Sequence, residues 1–233
     1  MFFPFWDPTM ILLIPALILA AYAQAKVQST YAKYSQIRSA SGRTGREVAQ
    51  AILSANGIPD VTVEPGEGYL SDHYDPIKKT IQLSPHNYQD SSIAAVSVAA
   101  HECGHAIQHK EGYAALQLRT AIFPLANIGS SLAWIFIIAG FIFANRLAIF
   151  GVGLLDIGIF LFTFAVIFQL VTLPVEFNAS KRAIVQLNRL GLVAPQEQVE
   201  AKKVLDAAAL TYVAAAAAAV LQLIRLLLLR GRR

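Results

Sequence analysis

Residues 92–110 read SIAAVSVAAHECGHAIQHK, and the rest of the chain is organised around them. The first nine positions are small or apolar and carry no charge, so the stretch predicts a buried helix. On a helix, residues i and i+4 share a face. His101 and His105 then point the same way and can hold one Zn²⁺ through ring nitrogens. Glu102 sits beside the first of them, where it can reach the water the ion polarises without ligating the metal. A carboxylate so placed serves as general base, and the chemistry implied is peptide-bond hydrolysis. The plainer alternative is a solvated helix end with incidental histidines. The apolar run argues against it, because burying His, Glu and His is costly unless something ligates or neutralises them. Cys103, the single cysteine, excludes an internal disulfide. It is read as a small buried apolar residue, since its direction differs from that of the histidines.

Composition sets the environment. The chain has 233 residues, is 55% hydrophobic and only 15% charged, with a mean hydropathy of +0.50. Soluble domains carry about 25% charged residues, so this is an integral membrane protein whose solvent includes the lipid bilayer. The net charge is +4. The basic residues flank the apolar runs and orient the chain in the bilayer, so no nucleic-acid surface is expected. Nothing in the pattern sets an oligomeric state.

Residues 1–25 read as a transmembrane anchor. The aromatic segment 2–8 forms an interfacial lead-in, followed by an apolar run over 9–25. A cleaved signal peptide is the rival reading, but the positive amino-terminal region it needs is missing. Residues 26–120 read as a soluble catalytic region bearing the HExxH helix. Within it Thr44 and Glu47 form a capping box, Asn56-Gly57 ends that helix, and strands fall at 61–63 and 79–84. A small β-hairpin beside the HExxH helix either pairs with an extended substrate or packs structurally, and both readings stand. His73 lies in the polar run Ser71-Asp72-His73-Tyr74-Asp75 and is a candidate substrate or supporting residue.

Residues 121–173 hold two apolar runs separated by Asn145-Arg146, a transmembrane helical hairpin. Asp156 in the second run is expected to pair with Arg146 or reach the interface. Residues 174–206 leave the membrane at Pro174 into a third-ligand helix and connector, and 207–233 form a fourth transmembrane helix with a basic tail. Arg225 in that last run is expected to snorkel to an interface. Positive charge at Lys26, Lys33, Arg38, Lys110, Lys181, Arg182, Lys202 and Lys203 puts the catalytic region on the cytoplasmic face, against the pull of the tail Arg230, Arg232 and Arg233.

Two histidines need a third protein ligand, leaving a fourth position for water. His109 is eight residues from His101, about 12 Å along a straight helix, too far to share one ion. It is read as a supporting residue. Glu176 completes a His₂Glu set. Glu176, Ala179, Ser180 and Ala183 share a face, and its small residues would allow another helix close.

The segments HECGHAIQH, SDHYDP with its following ILS-type strand Ile81-Gln82-Leu83-Ser84, and EFNASKRA resemble the neutral zinc metallopeptidases of the YugP type, bacterial membrane proteins. More distantly the arrangement is similar to HtpX and the CAAX prenyl proteases. In those, a Glu is followed, after two intervening residues, by Ala-Asp. Glu176 and Ala179 match, and Ser180 stands where they carry Asp. The resemblance implies a mainly α, zincin-like metallopeptidase in a multi-pass bacterial cell membrane. It implies one Zn²⁺ per chain on His101, His105 and Glu176, with Asn178 and Ser180 close to the site. The expected activity is a zinc endopeptidase acting on peptide or membrane-associated protein substrates. The alternative is a non-catalytic zinc-binding membrane scaffold or adaptor. An intact Glu102 speaks against the alternative, because a structural zinc site needs no base.

Overall fold

A computed structural model describes residues 7–68, 70–143, 148–149 and 152–231. Residues 2–6 of the aromatic lead-in, the Asn145-Arg146 turn and the tail residues Arg232 and Arg233 lie outside the described residues. The architecture is mainly helical with a small sheet. A 3-10 turn Pro8–Leu13 runs into α1 (Ile14–Tyr34), followed by α2 (Gly45–Ala55). Then come β1 (Thr62–Pro65), β2 (His73–Asp75), β3 (Thr80–Leu83), α3 (Pro85–Gln89) and α4 (Ile93–Lys110). The chain continues through α5 (Ala114–Ile142), β4 (Ala148–Ile149), β5 (Val152–Gly153), α6 (Leu154–Arg189) and α7 (Glu197–Gly231). Among the described residues, four helices are long and apolar enough to cross a membrane: Pro8–Tyr34, Ala114–Ile142, Leu154–Arg189 and Glu197–Gly231.

The chain forms two compact units. The first consists of Ala23–Gln117 and Pro174–Thr211. Its core joins Val48, Ile52 and Leu53 of α2 to Val96, Ala99, Ala100 and Ile107 of α4, with Ala183 and Leu187 of α6. Local sequence sets the ends of these helices. Thr44 accepts from the Glu47 N–H and the Glu47 carboxylate accepts from the Thr44 N–H, so the capping box closes both ways. Ser92 caps α4 by accepting from Ala95 N–H at 3.2 Å. The two expected strands are present, but they pair in parallel, Thr62 opposite Thr80. The antiparallel partner of β3 is β2, so the sheet order is β1-β3-β2 and β2 lies at an edge. A strand of three polar-to-aromatic residues is too short for alternation to reveal it.

The second unit consists of Met1–Tyr22, Leu118–Leu173 and Tyr212–Arg233. Ala133 and Ile137 of α5 pack with Leu155, Ile159 and Phe162 of α6 and Leu226 of α7. A Cβ on Gly158 would lie 2.8 Å from the Ile137 nitrogen, so only glycine lets α5 and α6 approach so closely. Arg225 does not snorkel. It is buried, with its guanidinium 2.7 Å from Asp7 and Nε 3.3 Å from the Thr9 hydroxyl. A paired, hydrogen-bonded charge is tolerated where a lone one is not. Asp156 is ion-paired with Arg230. Both pairs bring the starts of α1 and α6 beside the end of α7, as antiparallel spans require.

Helix boundaries differ from the sequence reading in three places. Residues 114–120, read from sequence with the HExxH region, form the start of α5. Pro174 does not break the helix, because α6 runs unbroken from Leu154 to Arg189. A proline costs one backbone bond, and a helix held on both sides by packing absorbs that loss. The charged segment after Pro195 and the fourth apolar run are one helix, α7.

One contact governs how α4 meets α6. A Cβ on Gly104 would lie 2.5 Å from the Ala179 carbonyl oxygen, so the two backbones touch there. Helix propensity alone favours alanine at position 104 by about 1 kcal/mol. The clash is with backbone that cannot move aside, and overpacking costs roughly 1–3 kcal/mol. Gly104→Ala is therefore expected to lower the thermal midpoint and to cut metal retention, measured by circular dichroism and metal analysis. An unchanged midpoint would place the helices farther apart than described.

Candidate metal centre

The small face of α6 meets the HExxH face of α4 at Gly104 and Ala179, and their polar side chains converge beside that contact. Glu176 Oε2 lies 3.2 Å from His101 Nε2 and 3.5 Å from His105 Nε2. One ligand atom from each of His101, His105 and Glu176 falls within 4.8 Å of the others. Glu176 is 2% exposed. A tetrahedral ion bound at about 2.0–2.1 Å sets neighbouring ligand atoms about 3.3–3.4 Å apart. The two distances from Glu176 to the histidines bracket that value.

The hydrogen bonds around the histidines decide which nitrogen faces inward. Gln108 is fully buried on α4. Its Nε2 donates to the Val175 carbonyl at 2.8 Å and to Asn178 Oδ1 at 3.0 Å. Both partners are acceptors, since Asn178 Oδ1 also accepts from Arg182 Nε at 2.6 Å. The Gln108 amide orientation is thereby fixed, and its Oε1 must accept from His105 Nδ1–H at 3.1 Å. His105 then carries its lone pair on Nε2, toward Glu176. The Ser180 hydroxyl lies 3.2 Å from His101 Nδ1 and can hold that ring in the same sense. Two lone pairs and a carboxylate oxygen thus aim at one buried point. A divalent cation between them would satisfy all three at once.

Burial alone would depress the His105 imidazole. Its hydrogen bond to the Glu176 carboxylate, with the charges of Glu102 and Glu176, overcomes burial and holds it above its ordinary value. Glu102 is also buried, and burial lifts its carboxyl above the usual range; His101 and His105 oppose that rise, while Glu176 and Asp72 add to it. Cys103 is wholly buried, its thiol 3.6 Å from the Ala49 carbonyl on the α2 side, and burial pushes it well up.

The family model for "Putative neutral zinc metallopeptidase" matches residues 9–231. The chain belongs to that family. It is similar to the "Putative membrane protease YugP" of Bacillus subtilis (strain 168), 48% identical over 223 residues, which is 95% of this chain and 96% of that protein. No solved structure matches it. Family membership implies zinc, and the donor set of two imidazoles and one carboxylate fits that ion.

In this metallopeptidase the other residues singled out from sequence take different places. Asn178 holds Gln108 and Arg182. His109 shares a hydrogen bond with the Tyr74 hydroxyl, 2.8 Å, at the far end of α4. His73 sits exposed on β2, its Nδ1 2.9 Å from the Ser71 carbonyl. Asp72 anchors the loop before it, accepting from Ser84 N–H at 2.7 Å and from Asn87 at 2.8 Å. Tyr31 in turn donates to Asn87 at 2.7 Å. Gln108 escaped the sequence reading. The signal for it was its place three residues after His105, on the same face of the helix.

Two outcomes follow from this geometry. Gln108→Leu removes the acceptor that orients His105, so zinc affinity in a competition titration with a chromogenic chelator is expected to fall about 10–100-fold. The Cys103 thiol should resist alkylation in the folded protein and react only after denaturation, as read by mass spectrometry. Rapid labelling of native protein would contradict the burial described.

Proposed function

We propose that this chain is a membrane-embedded zinc endopeptidase holding one zinc ion per chain on His101, His105 and Glu176. The observation that carries it is the convergence of those three ligand atoms with Glu102 one residue along the same helix. A zinc ion there would acidify a water to a pKa of about 7 and polarise the scissile carbonyl. Glu102 takes the proton from that water as it attacks. It then returns the proton to the departing amine nitrogen, so that water is added across the C–N bond and Glu102 ends unchanged. Gln108 and Ser180 keep the two imidazoles turned toward the reacting water. The edge position of β2 supports an extended peptide as substrate, since its outer side can accept a further strand.

The reading extends to topology. The chain crosses the membrane four times, with residues 26–117 and 174–206 on the cytoplasmic side. The four apolar helices and the basic residues flanking them support it. The counter-pull of the basic tail is reduced, because Arg230 is balanced by Asp156.

Purified wild type and Glu102→Gln, compared for zinc content and for cleavage of an unfolded protein, test the assignment. Both are expected to hold about one zinc, with cleavage falling on the order of 100- to 10,000-fold in the variant. Wild type without zinc, or Glu102→Gln with undiminished cleavage, would overturn it. Zinc-dependent thermal stability with no cleavage in either form would favour a non-catalytic scaffold.

A further inference from the structure

A second polar feature lies away from the metal centre. A cavity of about 600 Å³ opens between α1 and α7, in the first unit. Lys26, Thr30 and Lys33 line it from α1, at the i, i+4, i+7 spacing of one helical face. Lys203, Asp206 and Ala207 line it from α7, at i, i+3 and i+4.

Charge in this trough is unbalanced. The carboxylate of Asp206 is taken by Lys202, at 2.6 and 2.8 Å. Among the described residues, Lys26, Lys33 and Lys203 form no ion pair; Lys33 lies 5.2 Å over the Tyr34 ring. Three ammonium groups around one cavity repel each other unless an anion joins them.

The level of the trough identifies the anion. The apolar run of α1 ends at Ala25, just before Lys26, and that of α7 begins at Ala207, just after Asp206. In a membrane protein these positions fall where the helices leave the hydrocarbon, at the depth of lipid phosphates. Basic pockets between spans at that depth hold anionic headgroups. The Thr30 hydroxyl on the same wall adds a polar group for phosphate oxygens. We propose that this trough binds the phosphate headgroup of an anionic membrane phospholipid.

The test uses the full chain, purified in neutral detergent and titrated with phosphatidylglycerol, phosphatidylcholine or inorganic phosphate while its thermal midpoint is followed. Phosphatidylglycerol is expected to raise the midpoint of wild type, whereas phosphatidylcholine and phosphate leave it in place. In Lys26→Gln/Lys33→Gln/Lys203→Gln the apparent affinity is expected to fall on the order of 100-fold. A control of equal net charge, Lys78→Gln/Lys181→Gln/Arg189→Gln, should keep the wild-type response. Should the triple variant misfold, the single variants Lys33→Gln and Lys203→Gln, each losing part of the shift, carry the same test. An undiminished shift in the trough variants, a shift equally produced by phosphatidylcholine, or one reproduced by inorganic phosphate would overturn the proposal. None of these readouts depends on peptide hydrolysis.

Discussion

Two imidazole nitrogens lie 3.2 and 3.5 Å from one buried carboxylate oxygen, a donor set that suits a divalent cation. Much of the first unit works to keep them there. The backbone contact between Gly104 and Ala179 brings α4 and α6 close enough for side chains on both to share an ion. The Gln108 amide is locked by two acceptors on α6, and through it the tautomer of His105 is locked too. Without these constraints the same residues could relax into ordinary hydrogen bonds. The glycine inside HECGH is thus as much part of the site as the residues that face the ion.

Ser180 joins the site through a neutral hydroxyl. Here a hydroxyl 3.2 Å from His101 Nδ1 orients the ring without a second negative charge. Glu176 and Glu102 already place two carboxylates at the site. A neutral partner on His101 leaves the net charge of the donor set lower, which suits a divalent ion that must still polarise water.

What was legible in the sequence was whatever depends on near neighbours. The i, i+4 spacing put His101 and His105 on one face, the capping box at Thr44 and Glu47 set the start of α2, and the small face Ala179–Ala183 announced a close helix contact. The pairing of Glu176 with the histidines was legible because a helical hairpin between the two segments returns its helix to the membrane face of the HExxH helix, where it makes a His₂Glu set. Features that rest on contacts between remote positions were not. Gln108 has meaning only beside Val175 and Asn178, and Arg225 only beside Asp7. Pro174 looked like a helix exit because its local rule is strong, yet tertiary packing carried α6 through it. The parallel pairing of β1 with β3 was hidden because β2, which intervenes in sequence, is too short to show a period.

X-ray absorption at the zinc edge of the purified protein is the most direct test of this centre. A nitrogen and oxygen shell at about 2.0–2.1 Å with the outer scattering of two imidazoles is the predicted result. A sulfur shell at about 2.3 Å, which would bring in Cys103, or the signature of a single imidazole, would contradict it.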